Sequence, residues 1–301
     1  MAGPSLPADF AFEPKVWEDH INAYRDRKLS YGAFAFKPSE KLVNPGTGNT
    51  VNFPYFKAIG DAEEPGADEA LTVDKLEDDS FSATIKEIGK AVGIRRAAIR
   101  KSAASRERIF AEAQEQMGRV HAEKIDKDLI TEIATAYTQG YTSADASEAN
   151  RGRIENVLEG KVVAFGDKHT DAVVMFAHSL VVLDIMTYSG TGFMKADAND
   201  PLFRVPGFQG RLAGMAVVEV DTVPQVTSIG GKKTFDCFVC KPNAFGFMDA
   251  EEMDMGADYD MLHREYLFAS TQWYAVKNFH GKVDALDRRI AKLTFATRAN
   301  G

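Results

Sequence analysis

The sequence predicts an α+β protein built from an N-terminal arm, an extended acidic loop, one long helix and an inserted α/β region. Three observations carry that expectation. Apolar residues spaced mostly three and four apart run from Phe110 to Ala136, the signature of a long helix. Strand-like alternation precedes that run at Phe81–Ile94 and returns near the C-terminus. Between them in character, residues 61–79 hold nine acids and a single base, Lys75. The 301 residues suffice for about two domains. A chain of that size buries about three quarters of its unfolded surface, so it needs no disulfide or metal staple. Lys+Arg 36 against Asp+Glu 44 gives a formal charge of −8, which argues against an overall electrostatic grip on nucleic acid. The N-terminus lacks the basic and apolar regions of a secretory signal, and Ala172–Leu183 is too short for a membrane span. The expectation is a soluble protein, intracellular at synthesis, with no membrane partner.

Along the chain, residues 1–45 read as an arm. Pro4, Pro7 and Pro14 forbid regular structure at first, and Val16, Trp17, Ile21 and Tyr24 then mark one face of a short helix. That stripe is too small to fold alone and should lie on something else. Thr50–Phe56 reads as an edge strand, because Pro54 removes a ladder donor. Ordering some twenty residues of the acidic segment costs on the order of 20–40 kcal/mol. Its clearest apolar residues, Ile59, Leu71, Val73 and Leu76, return only about 1.5–3 kcal/mol each. The segment cannot hold itself rigid.

Phe81, Ala83 and Ile85 share one parity, and Ile88, Val92 and Ile94 take the other, which predicts a bulge near residues 87–89. Residues 86–108 invert the charge, with eight bases against Glu87 and Glu107. Ser105 is placed to cap a helix reaching about Tyr137, interrupted only by Gly118. Gly140 and the polar run 142–150 mark a boundary. Then follow a helix near 151–159, a buried strand at 172–177, a helix at 179–188 and strands at 215–220 and 235–240. Two further strands are expected at 272–280 and 289–297.

Templates for chemistry fail one by one. Cys237 and Cys240 form the only CxxC, but they sit within a strand, where residues three apart face opposite ways, and no second ligand pair exists. The histidines at 20, 121, 169, 178, 263 and 280 show no metal-protease spacing. His178, at a strand-to-helix junction, is the most interesting, and bonding to local backbone is its expected role. His169 and Asp171 read as turn residues. Gly46–Gly48, Gly190–Gly192 and Gly231–Thr234 lack the continuation that cradles phosphates. The acids at 61–79 lack the alternation of a calcium loop. No enzyme, cofactor or metal is expected.

The order of these pieces resembles the major capsid proteins of tailed bacteriophages, with the Hong Kong ninety-seven type coat fold. The stretches that carry the resemblance are Pro14–Trp17, Gly48–Pro54, Leu71–Leu76, Gly89–Ile94, Ala172–His178 and Gly214–Pro224. It implies an arm at 1–45, an extended β-hairpin loop at 46–82, a peripheral domain from 83–140 and 269–301 with a long spine helix, and an axial domain at 141–268. It also implies a shell subunit assembling into pentamers and hexamers around double-stranded DNA held without specific binding. That virion would be assembled in the bacterial host cytoplasm, with scaffolding and portal proteins and a possible decoration protein as partners. Any scaffold is expected as a separate protein, and neither partner of a covalent inter-subunit crosslink is assignable.

Charge and position nominate the contacts between copies. Asp61, Glu63, Glu64, Asp68 and Glu69 are expected to lie across Arg95, Arg96, Arg100 and Arg106 of a neighbour, with Trp17 a further contact. Complementary charge of this kind selects register more than it adds affinity. Two other readings remain: an encapsulin-like compartment shell, and a soluble two-domain enzyme using His178.

Overall fold

The computed structural model describes residues 14–38, 50–56, 73, 75–102, 105–135, 141–142, 152–188, 192–229, 232–279 and 288–300. In chain order these give α1 (Pro14–Lys28), β1 (Thr50–Phe56), β2 (Asp78–Thr84), β3 (Lys86–Arg95), α2 (Arg96–Lys101) and α3 (Arg106–Thr135). Then come β4 (Tyr141–Thr142), α4 (Ile154–Phe165), β5 (Val174–Ala177), α5 (Ser179–Tyr188), β6 (Phe193–Lys195), β7 (Phe208–Leu212) and β8 (Met215–Glu219). The chain closes with β9 (Gln225–Ile229), β10 (Lys232–Cys240), β11 (Phe245–Asp260), β12 (Glu265–Asn278) and β13 (Ile290–Asn300). They form three sheets. β1 and β2 make a hairpin, β11-β12-β3 an antiparallel trio, and β4-β13-β10-β5-β8-β7-β6 a larger mixed sheet with β9 paired to β10.

The long helix forms as the periodicity requires. Arg108 N–H donates to Ser105 Oγ at 3.3 Å, the cap expected at its start. Its 30 residues span about 45 Å. Phe110, Met117, Ile125, Leu129 and Ile133 are buried. Val120, placed in the same stripe by the sequence, is instead 39% exposed, and His121 and Ala122 are buried in its place. The reason is the mismatch between a whole-number spacing and 3.6 residues per turn: past Met117 the inward positions advance by fours.

Gly118 marks where the arm crosses. A Cβ there would sit 3.0 Å from the Ile21 carbonyl oxygen and 3.1 Å from the Tyr24 Cβ, so the missing side chain lets α1 lie directly on α3. Ile21 is fully buried in that contact, beside Phe110, Met117, Met253, Met255 and Phe268. The expectation that this helix must lean on another element is met. A polar layer fixes it. Buried Arg25 reaches both oxygens of Asp249, at 3.3 and 3.2 Å. The Asp126 carboxylate accepts the Ser30 and Tyr31 N–H groups at 2.9 and 3.3 Å, holding the turn that follows α1.

Three features depart from the sequence reading. The change of parity between Phe81 and Ile94 is a break between two strands at Ile85, not a bulge within one. β3 pairs with β12 without interruption from Lys86–Tyr274 to Arg95–Glu265. The helix near 151–159 runs on to Phe165. The sheets also exchange strands away from the expected 268/269 boundary: β11, inside the stretch 141–268, pairs with β12, while β13, inside 269–301, returns to the larger sheet beside β10.

Candidate inter-subunit surface

Among the described residues, the hairpin β1–β2 is anchored at its root. Val51, Phe53, Phe81 and Ala83 are buried against Met248, Ala275 and Phe279, with the Phe53 and Phe81 rings 5.4 and 5.1 Å from Phe279. Pro54 faces Ser80 on a strand with no second neighbour, the edge position its missing N–H demands. Beyond the root the chain's own cover stops. Phe56 is 69% exposed, Val73 88% and Leu76 66%. Val73 and Leu76, nominated as anchors of the loop, therefore do not anchor it to their own chain. Asp61, Glu63, Glu64, Asp68 and Glu69 lie outside the described residues, as do Ile59 and Leu71.

The arginines after β2 gather at one end of the three-stranded sheet, while Lys86 and Lys90 lie farther along β3. Arg95 ends β3 opposite Glu265, and Arg96 begins α2 with its N–H on the Arg264 carbonyl at 3.0 Å. Arg100 follows on α2, which buries no residue at all. Arg95, Arg96 and Arg100 are exposed, and none makes an ion pair among the described residues. Arg106 differs. Its guanidinium lies over the Tyr266 and Phe110 rings, at 4.7 and 5.2 Å, so the charged head of this exposed residue is held by its own chain. Trp17 lies in α1, where only the backbone is described. Thus the structure brings four nominated arginines to one end of a sheet.

Sequence reasoning missed part of this surface. Met261 and Leu262, at the tip of the β11–β12 turn, are 76% and 91% exposed and adjoin Arg264. An apolar pair flanked by Asp260 and His263 was the available signal.

The groups examined for chemistry are structural. Cys237 and Cys240 point to opposite faces of β10 and join different cores. Burial pushes the Cys237 thiol up to about 12 and raises that of Cys240 as well, so neither is a nucleophile at neutral pH. His178 stacks on Phe235 at 3.7 Å and its Nδ1 accepts the Leu180 N–H at 3.2 Å, capping α5. Burial lowers its pKa against the pull of Asp221, whose carboxylate stands 3.8 Å from Nε2. His169 and Asp171 lie in a short helical turn, as expected. Gly46–Gly48 and the acids from Asp61 to Asp74 lie outside the described residues, while Asp78 and Asp79 begin β2. Among the described residues no helix is long and apolar enough to cross a membrane.

No family model matches the chain. The sequence is 26% identical over 220 residues to the major capsid protein of Staphylococcus phage phiMR11, covering 73% of this chain and 76% of that one. The fold matches the capsid of Ralstonia phage GP4 across 100% of this chain and 96% of that one, at a TM-score of 0.70 and 12% identity. The chain is thus similar in sequence to a phage major capsid protein and in fold to phage capsids. It shares the Hong Kong ninety-seven type coat fold of those capsids. An encapsulin complex of Synechococcus elongatus shares the fold at a TM-score of 0.56 and 8% identity, covering 86% of each chain. That is a weaker likeness than the capsid of Ralstonia phage GP4 gives, and the encapsulin reading is the weaker one.

Proposed function

We propose that this chain is a structural major capsid protein, a subunit of an icosahedral shell, which closes pentamers and hexamers around double-stranded DNA by laying its extended hairpin on the next copy. The observation that carries the reading is the exposure of three apolar residues beyond the hairpin's root, Phe56, Val73 and Leu76, beside a run of nine acids in the sequence. An exposed, acid-flanked hairpin of this kind is costly unless a neighbour covers it. The basic sheet end at Arg95, Arg96 and Arg100, with the Arg106 head beside it, offers the complementary charge for Asp61, Glu63, Glu64, Asp68 and Glu69. Heterologous contacts that close into rings generate five- and six-fold assemblies, and repeated moderate contacts stabilise the whole by multivalency. Trp17, on the helix of the arm, is assigned a further contact with a neighbour. Residues 141–268 form the greater part of the domain that faces the ring axes, and the spine helix belongs to the peripheral domain.

Scaffolding and portal proteins complete the assembly in the bacterial cytoplasm, and the shell leaves room for a decoration protein. The net charge of −8 suits a container that must not grip the DNA it encloses. The test reverses Asp61, Glu63 and Glu64 to Lys. Particle yield should fall while the circular dichroism of the subunit stays unchanged; full yield would refute the electrostatic contact. Nucleic acid rather than a protein cargo inside purified particles separates this reading from the encapsulin one.

A further inference from the structure

The β11–β12 turn carries a group of side chains that the capsid reading does not use. Asp260 and Glu265 are the cross-strand pair that closes this hairpin, so both side chains leave the same face. His263 lies between them in the turn. One ligand atom from each of Asp260, His263 and Glu265 lies within 4.8 Å of the others. Their arrangement is fixed rather than accidental. Asp260 Oδ1 accepts the Leu262 and His263 N–H groups at 2.8 and 3.1 Å, which locks that carboxylate and leaves Oδ2 free to meet His263 Nδ1 at 2.6 Å. Arg264 takes a positive φ of 54°, which turns the chain so that Glu265 returns over the same side. The Glu265 carboxylate leans over Gly93 of β3, where a side chain's Cβ would stand 3.4 Å from its Oε2.

We propose that Asp260, His263 and Glu265 form a binding site for a zinc-class divalent cation at the tip of this hairpin. One imidazole nitrogen and two carboxylates are a borderline donor set, suited to zinc, cobalt or nickel rather than to calcium or magnesium, which ask for oxygen ligands alone. Zinc at about 2.0–2.2 Å from each donor sets tetrahedral donor–donor distances of about 3.3–3.6 Å. The Asp260–His263 pair must therefore open from 2.6 Å by less than about 1 Å, and Glu265 must close from within 4.8 Å; side-chain rotation supplies both. The two carboxylates balance the ion's charge. The opposing groups are Arg95, across from Glu265, and Arg264 in the turn itself; both carry flexible stems that can swing into solvent. Water fills the fourth position, because the site is open on its outer side. Bound metal would cross-link the four-residue turn 261–264 and stiffen the presentation of exposed Met261 and Leu262.

The test is zinc titration of the purified chain by calorimetry, beside His263→Ala and Glu265→Gln. His263 is exposed, so its variant should fold and assemble as the parent does. The parent should bind one zinc per chain that the His263→Ala variant binds more than about tenfold more weakly. Cobalt should give the d–d absorption of a four- or five-coordinate ion in the parent only, and calcium should not compete. Zinc should also slow tryptic cleavage after Arg264 in the parent and leave the variant's rate unchanged. A parent that binds no zinc, or two variants that bind it as the parent does, would overturn the site.

Discussion

Replacing Gly118 by Leu should detach the arm helix from the spine. Where α1 crosses α3, a Cβ on residue 118 would already press to 3.0 Å on the Ile21 carbonyl and 3.1 Å on the Tyr24 Cβ, and three further carbons have no space. The α1 backbone must move outward. That exposes Ile21, now fully buried, at about 1.5–3 kcal/mol. It also separates Arg25 from Asp249, and breaking a buried pair costs about 3–5 kcal/mol because one charge stays behind. The better helix propensity of Leu returns only about 1 kcal/mol. The net loss of docking is about 4–7 kcal/mol, enough to release α1 in most molecules. Hydrogen exchange read by mass spectrometry on the subunit should show protection lost over residues 21–29 and retained around Ile125 and Leu129. Unchanged protection over 21–29 would refute the assignment of Gly118 as the crossing point.

Three other outcomes follow from the same structure. Asp126 is raised by burial from 3.8 to about 6, against the N–H donors of Ser30, Gly32 and Tyr31. A carboxyl with a raised native pKa contributes stability that is complete below pH 3.8 and lost as the pH climbs through about 6, about 3 kcal/mol in all. Urea denaturation should show that decline in the parent, and the difference between parent and Asp126→Asn should grow across this window; a constant difference would remove Asp126 as its source. Phe53→Ala should unroot the hairpin from Phe279 and cost about 3–5 kcal/mol, seen in thermal unfolding as a clear drop; a change below about 1 kcal/mol would show that the root is not packed as described. Cys237→Ser should destabilise by about 1–3 kcal/mol through its buried hydroxyl, with no response of parent or variant to reducing agent; a reductant-dependent parent would contradict two separate, buried thiols.

The parts of the fold that could be read from the sequence are those whose pattern has one physical cause. The stripe from Phe110 to Ile133 and the Ser105 cap describe a helix that local geometry alone specifies. The Cys237–Cys240 spacing implied two faces, and the two thiols do occupy two cores. β11 went unread because Asp249, Glu251 and Asp254 interrupt its alternation at two register shifts, and only pairing with β12 makes sense of an acidic strand. The exchange of strands between sheets was equally hidden, since it is a long-range pairing with no local signature. For the candidate contact surface, charge inversion between residues 61–79 and 86–108 nominated the arginines, which the structure places at one sheet end. It did not reveal that Arg106 lies over Tyr266, because that ring arrives from a strand 160 positions later.

Electron microscopy of the purified protein tests the central claim most directly. Closed icosahedral shells, with pentameric and hexameric units in which each hairpin crosses onto the adjoining copy, are the expected result. Discrete small oligomers under every assembly condition, or shells in which each hairpin folds back on its own chain, would contradict it.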